Sequence, residues 1–576
     1  MPNSTARDRE PLHGFEKFAD KVLRDWKVPG AAITVVHGGE VVFSRGIGHR
    51  DAESALPVTE HTLFPQASVT KAFTTMSIGI LADEGLLDWD TPVREYLPDF
   101  RLWDSSASER ITPRDLVTHR SGLPRHDISW YGSDRTREEL VAGLRHLEPT
   151  RDLRSFWQYQ NLMYMAAGYL AGQVVGSSWE EVVRMRIFEP LGMVSSNFAI
   201  GATQQTSDFS LPYMRRKGGA IRIPFYAQQD AIGPAGAIIS NVVDMSRWLM
   251  LHLNGGTIGD RRVVSPAQIA QMHTAQMVSS KQSRWPELAQ QSYALGWFVQ
   301  PYRGRPMLHH GGNIDGFSTL CSFLPDHDVG VIVLTNMDTS PAPSILTWNV
   351  FDRILGMGQL PWSDRYLEEF REAVQAETRG KDRRRSRKIA RTRPSHSLDE
   401  YTGAYTHPGY DAIHVDLKGN RLVGQYHGME LPLKHYHYDT FETTIEVVEL
   451  TMKVQFVADV HGDIVRLVAP LEPTGHDIVF ERVPAASLTE RSFLEQFAGA
   501  YDYRGRTLTV TVKAGGLRIS VPEQPEYEVT PIKDLEFGAK GMSGLSVRFT
   551  LNEKGAAAEV EVEQAESVFV AKRKMG

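Results

Sequence analysis

The distribution of apolar and polar positions divides the chain into stretches of different period. Near the start, "FEKFADKVLRDW" from Phe15 reads as an amphipathic helix. It is followed by "AAITVVHGGEVVFSRGIG", two apolar segments around Gly38 and Gly39, which predict a β-hairpin. A long middle section is mostly helical in period and is punctuated by loops such as "THRSGLPRHD". Strand-like runs return late, in "YALGWFVQ" from Tyr293, "PMLHH" from Pro306, "FSTLCSFLP" from Phe317 and "DVGVIVLTN" from Asp328. A helix-like "PSILTWNVFDRILG" from Pro343 follows them. Strands at both ends with helices between predict an α+β domain: one antiparallel sheet closed by distant parts of the chain, with helices packed on it.

Near Arg379 this patterning stops. "RGKDRRRSRKIARTRPSHS" is basic and almost without apolar residues. It suits a solvated interdomain linker better than a nucleic-acid patch, because acidic segments flank it and no aromatic residues interleave. Beyond it the sequence repeats itself. "LDEYTGAYTHPGYDAIHVDLKGNRLVGQ" from Leu398 matches "LEQFAGAYDYRGRTLTVTVKAGGLRIS" from Leu494. Each copy has an aromatic residue, Gly-Ala-Tyr, an alternating strand, a Gly turn and a further strand starting at a leucine, Leu422 or Leu517. Two related, small antiparallel β-barrels in tandem are predicted. The expected layout is a domain over residues 1–365, a linker over 366–396, and barrels over 397–484 and 485–576.

Composition narrows the function classes. A chain of 576 residues, 41% apolar and 23% charged, is long enough for several cores and describes folded domains. A net charge of -7 is small for this length and leaves no footprint for nucleic acid or for an anionic membrane. The single cysteine, Cys321, excludes a disulfide framework and a cysteine-rich metal site, and within an apolar run it reads as packing. No run is long enough to span a bilayer and no secretory apolar region precedes the first helix, so the cytoplasm is the expected location. A signal cleaved before this sequence begins would place the protein in the periplasm or outside.

Candidate chemistry starts at "PQASVTKAFTTMSIGILADEG" from Pro65. Phe73, Met76, Ile80 and Leu81 recur at helical spacing and Gly85 stops the run. Ser68 therefore falls in the first helical turn, with Lys71 one turn on along the same face. Alone, the pair is as compatible with a capping serine and a solvated lysine. Two further signals join it: Tyr159-Gln160-Asn161, immediately before an apolar helix, and His310-Gly311-Gly312, on the strand that ends "PMLHH". In this order the three resemble the serine β-lactamase and penicillin-binding-protein superfamily, in its class C-like branch. There S-x-x-K heads a helix, Y-x-N sits on a loop, and K-T-G or H-x-G lies on the edge strand facing the nucleophile. "HGGNIDGF", "LVTHRSGLP" and "GPAGAIISNVVDMSRWL" are also similar to family segments, and the resemblance covers residues 14–360. The first C-terminal repeat is similar to a module appended to such hydrolases, and the whole layout resembles the three-domain D-aminopeptidases. No G-x-S-x-G of an α/β-hydrolase occurs.

The resemblance implies an acyl-enzyme at Ser68. A serine hydroxyl needs a base within hydrogen-bond reach. Lys71 serves if burial and the helix terminus lower its pKa; Tyr159 either relays the proton to the leaving group or is itself the base, and the sequence leaves that choice open. Asn161 is expected to orient Lys71 and the substrate amide. The backbone N–H groups of Ser68 and Asn313 would form the oxyanion hole, beside Gly311 and Gly312 in substrate binding. His310 stands where relatives carry a lysine for a free carboxylate. Being mostly neutral at pH 7, it favours amides or esters whose recognition end is neutral or cationic.

The expected function is a serine hydrolase of D-aminopeptidase, amidase or esterase type, acting on a small-molecule amide, peptide or ester. An acyltransferase using the same intermediate and a β-lactam or peptide receptor without turnover are the alternatives. No cofactor, metal, nucleic-acid or membrane partner is expected, and a homo-oligomer is allowed for. His435 and His437 have metal-ligand spacing on a strand but lack an obvious third ligand. His119 reads as a structural hydrogen-bonder. The Gly-rich "EFGAKGMSGLS" from Glu536 is a candidate for a barrel loop that reaches the cleft.

Overall fold

The computed structural model describes residues 10–574, apart from 217–218, 227–229, 280–282, 386–387, 446–449, 514, 540–543, 554 and 565–566. The elements that build the site are helix α1 (Phe15–Trp26), strands β1 (Gly30–His37) and β2 (Glu40–Asp51), and helices α2 (Thr70–Asp83), α3 (Leu162–Val174) and α4 (Val242–Leu253). Strands β3 (Leu308–Ile314), β4 (Phe317–Leu324) and β5 (Val329–Thr335) follow, then helices α5 (Ala342–Ile354) and α6 (Trp362–Arg385). The turn between β1 and β2 has φ of 61° at Gly38 and 76° at Gly39, the left-handed pair that a two-residue hairpin turn requires.

The sheet is antiparallel and nine-stranded, in the order Met277–Val278, Ser292–Tyr293, Phe298–Val299, β3, β4, β5, β1, β2, Leu56–Pro57. Its centre joins the two ends of the domain, with Ala31 of β1 opposite Thr335 of β5. β4 and β5 are buried along their whole length. Val329, Val331 and Val333 pack into a core shared with Phe15 of α1 and Phe351 of α5, while Gly330 faces Leu249 of α4. Helices thus cover both faces, which is why these strands read as continuous apolar runs instead of alternating. "YALGWFVQ" is a small hairpin, not one strand: Ala294 N–H bonds the Trp297 carbonyl at 2.7 Å and folds the run back on itself. Helix α6 continues through much of the stretch expected as linker. Its Glu, Arg, Ala and Lys are strong helix formers, so polarity there signals a solvated helix as readily as a coil.

One buried ionic cluster ties the segment around residue 120 to the one around residue 154. Asp115, fully buried, accepts from Arg120 Nε at 2.6 Å and Arg154 Nη2 at 2.8 Å, and Thr112 caps its short helix. Backbone bonds extend the joint, Arg154 N–H to Arg120 O at 2.7 Å and Gln158 N–H to His119 O at 2.8 Å. Tyr159 and Asn161 follow directly. Cys321 is buried in β4 and burial pushes its thiol well up, in keeping with a packing role.

Each C-terminal repeat closes into a barrel of eight antiparallel strands, Gly403–His407 through Ile478–Val483 and Gly499–Tyr503 through Ser567–Arg573. The repeated Gly-Ala-Tyr has a common physical role. The Tyr405 and Tyr501 hydroxyls donate back to the carbonyls of Tyr401 and Phe497, at 2.9 and 2.7 Å, and Arg482 and Arg573 lie over the two rings. A bulge between His435 and His437 turns Tyr436 inward, and His435 Nε2 meets the carbonyl of Tyr438. Among the described residues no group of three or more His, Cys, Asp or Glu could hold a metal ion, and no helix is long and apolar enough to cross a membrane. Of the Gly-rich loop after Glu536, residues 540–543 lie outside the described residues. By their contacts, residues Met1–Lys388 with Leu471–His476 form one compact unit, and Ile389–Pro470 with Asp477–Gly576 a second.

Burial alone would raise the Asp115 pKa, but hydrogen bonds and charge from Arg154 and Arg120 more than offset it and leave the carboxyl below its ordinary range. A depressed carboxylate contributes stability that is present above its unfolded pKa and is lost as pH falls through the folded value. Asp115→Ala is expected to cost about 3 kcal/mol in the first urea-unfolding transition at pH 7, because it strands two guanidinium groups. The difference from the parent protein should shrink under acid conditions; an equal loss at pH 7 and at pH 3 would contradict the assignment.

Candidate active site

Ser68 stands on a turn held from several sides. Phe64–Pro65 pairs with Ile239–Ser240, and Gln66 N–H bonds the Ile238 carbonyl at 2.7 Å. The Gln66 side chain is buried and donates to Phe64 O and Ser240 O. Ala67 then takes a left-handed φ of 47°, a conformation that costs a non-glycine residue on the order of 1 kcal/mol or more. Ser68 follows in a single 3-10 turn, Ala67–Val69, which runs into α2. From Thr62 to Leu81 every residue is buried except Ser68, which is partly open. The turn thus offers one side chain to solvent.

β3 passes close by. A Cβ on Gly312 would sit 2.3 Å from the Gln66 carbonyl oxygen, so only glycine allows this approach, and Thr319 on β4 donates to the same oxygen at 3.1 Å. Gly311 has no such constraint, its nearest neighbour being Thr319 O at 3.6 Å. Asn313, next along β3, lines the same cavity as Ser68.

Lys71 lies one turn into α2 and is fully buried. Its Nζ is 3.0 Å from Ser68 Oγ, 2.8 Å from Asn161 Oδ1 and 2.8 Å from the Ala235 carbonyl oxygen. The latter two atoms only accept. A neutral amine gives them its two N–H groups and keeps its lone pair for the Ser68 hydroxyl proton. Burial pushes the Lys71 pKa well down, Arg125 adds to the effect and Asp127 opposes it. Tyr159 OH donates to Ser68 Oγ at 2.8 Å. Burial raises the Tyr159 pKa to about 12, despite the opposing Ser68 bond and Arg125 charge. The site thus gathers around one oxygen a serine hydroxyl, an intact phenol and an amine whose charged form burial disfavours. Of the two bases the sequence allows, the directions of these shifts run toward Lys71 and away from Tyr159.

A second tier surrounds this group. Arg125 lies over the Tyr159 ring at 5.1 Å and pairs with Asp127 Oδ2 at 2.6 Å, while Asp127 Oδ1 accepts from Asn161 Nδ2 at 3.1 Å. Glu472, buried, accepts the His126 backbone N–H at 2.7 Å and so fixes the turn that carries both. Neither Arg125 nor Asp127 stands out in the sequence, where "LPRHD" reads as a loop; only the fold brings it beside Tyr159. Glu472, more than 300 residues away, left no local signal. His119 lies under Tyr159 with ring centroids 4.4 Å apart, and its Nδ1 accepts from Gln160 N–H at 3.4 Å.

The structure places His310 behind Tyr159 and not on the open cleft. It is 1% exposed, its Nε2 is 3.1 Å from Tyr293 OH, and its Nδ1 is 2.8 Å from the Gly311 carbonyl. Burial, with the charge of Lys71, lowers its pKa to about 3, so the imidazole is neutral. His309 points to the opposite face, edge-on to Trp348 of α5. The cavity that opens onto Ser68 measures about 100 Å³ and is walled by Trp130, Phe198, Ile200, Tyr226 and Ile232. Among the described residues no charged side chain lines it.

The Beta-lactamase family profile matches residues 15–352, and a domain of unknown function, DUF3471, matches residues 387–482. The chain belongs to the Beta-lactamase family. It is similar to the unguisins hydrolase ungD' of Aspergillus campestris, 28% identical over 439 residues that cover 72% of this chain and 80% of the relative. Among solved structures, the octameric penicillin-binding protein homologue from Pyrococcus abyssi aligns over 82% of this chain and 100% of its own, with a TM-score of 0.55 and 23% identity. The D-amino acid amidase from Ochrobactrum anthropi SV3 aligns over 60% of this chain and 98% of its own, with a TM-score of 0.51 and 21% identity. At these identities the two structures establish the fold.

The charges around Lys71 give opposite signs for two substitutions. Arg125→Gln removes a cation that depresses the Lys71 pKa, so the acid limb of kcat/KM should move to higher pH. Asp127→Asn removes an anion that raises it, so the limb should move to lower pH while the contact to Asn161 is retained. The pH profiles of the two variants against the parent decide this, and shifts in the same direction would refute it.

Proposed function

We propose that the protein is a serine hydrolase that cleaves amide or ester bonds through a Ser68 acyl-enzyme. The observation that carries this reading is the convergence of Lys71 Nζ and Tyr159 OH on Ser68 Oγ, at 3.0 and 2.8 Å, with the amine buried. Lys71 takes the hydroxyl proton as Ser68 Oγ bonds to the substrate carbonyl carbon. The resulting oxyanion is received by the backbone N–H groups of Ser68 and Asn313. As the tetrahedral intermediate collapses, the C–N or C–O bond breaks and Tyr159 protonates the departing nitrogen or oxygen. The proton held on Lys71 restores the phenol. Water then attacks the acyl-enzyme by the reverse proton path and releases the acid.

The uncharged, aromatic-walled cavity supports small substrates whose group beside the scissile carbonyl is apolar. The hydrolase named among the relatives and the amidase among the structural neighbours agree with hydrolysis over a binding-only role. An amide or peptide of amidase or D-aminopeptidase type is the substrate class we favour, with esters also turned over.

A fluorophosphonate probe is expected to add mass to one tryptic peptide, the one containing Ser68. Ser68→Ala should abolish labelling and lower nitrophenyl-ester turnover by on the order of a thousandfold or more. Lys71→Ala should slow both by a comparable factor. Labelling at another serine, or turnover that survives Ser68→Ala, would overturn the mechanism; labelling without turnover would favour a receptor.

A further inference from the structure

The two barrels are built from one repeat, but they are not filled alike. Pairing gives the correspondence directly. Tyr405 pairs with Ile413 and Arg482 in the first barrel, and Tyr501 with Leu508 and Arg573 in the second. Counting from these anchors, Phe480 corresponds to Ala571 and Tyr426 to Val521. The first hairpin turn is one residue shorter in the second copy and has no counterpart of Tyr410. In the first barrel those three rings close one end. Tyr410, Tyr426 and Phe480 are all buried, Tyr410 and Phe480 stand 6.3 Å apart edge to face, and Tyr426 OH donates to the Tyr410 carbonyl at 2.8 Å.

In the second barrel no described side chain fills the same end. A cavity of about 140 Å³ opens there, floored by Leu508, Ile519 and Val547 of the barrel core. Tyr503, Tyr527 and Phe569 form its walls, the first and last edge to face at 5.6 Å. Seven of the eight strands contribute, so the cavity is the barrel's own interior and not a surface dent. Eight-stranded barrels are just wide enough to hold one small ligand when side chains do not fill them, and an apolar cavity near 150 Å³ accepts a benzene-sized body.

Among the described residues its polar groups are few: Arg506, Gln524, Gln564 and the phenols of Tyr503 and Tyr527. Arg506 takes the position that Asp411 holds in the first barrel, and no carboxylate among the described residues pairs with it. A guanidinium that no described carboxylate pairs, on a pocket lined mainly by apolar groups, is a carboxylate-binding arrangement.

We propose that the second barrel is a binding site for a small organic carboxylate with an aromatic or branched apolar body, which fills the place of the missing rings and pairs with Arg506. The proposal does not depend on the catalytic reading, and its test uses the full chain carrying Ser68→Ala. Titration with 4-fluorophenylacetate, followed by fluorine NMR, should saturate with a Kd of about 0.1–1 mM. Arg506→Gln, at an exposed position, should weaken the carboxylate by about tenfold and leave the neutral 4-fluorophenylacetamide unchanged. Ala571→Phe, which restores the ring of Phe480, should abolish binding of both. Absence of saturation, or binding that survives both substitutions, would overturn the proposal. So would binding that is lost on phosphonylation of Ser68 in the parent chain, since it would then belong to the catalytic cleft.

Discussion

The site depends on one amine being kept out of water without a counter-charge touching it. Lys71 is fully buried, and its hydrogen-bond acceptors are two uncharged carbonyl oxygens. The carboxylate in its neighbourhood, Asp127, is held off by Asn161, whose amide accepts from the lysine with one end and donates to the carboxylate with the other. The spacing matters. A carboxylate in direct contact would return about 4 kcal/mol to the charged form at an effective dielectric constant near 20, enough to keep the proton on. A neutral amide relay preserves geometry without that penalty. Arg125, pointing its charge toward the same space, pushes in the opposite direction to Asp127, so the pair tunes the amine from outside its contact shell.

The residues around that amine serve to hold the arrangement still. Ala67 is strained, and it stays so because Gln66 is bonded on its backbone and on its side chain to segments more than 170 residues away. β3 can lie against the turn only because position 312 has no side chain. Asp115 and its two arginines link the loop of Arg125 to the one that delivers Tyr159. Each support comes from a different part of the chain, so the site is a property of the whole sheet-and-helix assembly and not of a motif.

That dispersal explains what could be read from the sequence and what could not. Ser68, Lys71, Tyr159 and Asn161 were legible because each lies in a short pattern beside a helix start, and the fold brings all four together. The hairpin, the shared sheet and the two barrels were legible because period and turn chemistry are local. Arg125 and Asp127 were in plain view but carried no signal until the loop was placed against Tyr159. His310 shows the limit of a positional analogy: strand alternation separates it from His309, but only packing reveals that Tyr293 and Gly311 already occupy both its nitrogens. Helix α6 was hidden by its own solubility, since charged residues that favour a helix look the same in a linker.

The pairing of β1 with β5 has a temporal meaning. Gly30 N–H bonds Asn336 Oδ1 at 2.7 Å across 306 residues, and β1 has no other neighbour on that edge. Ribosomes add about 5–20 residues per second, so β1 waits on the order of half a minute for its partner. Through that interval an apolar strand edge stays open to aggregation or to a holding chaperone. Ser68 and Lys71 are synthesised early, but Gly312 and Thr319, which lie against the turn that presents them, are made much later. A chain that ends before β5 therefore carries Ser68 and Lys71 without the strand that closes the sheet.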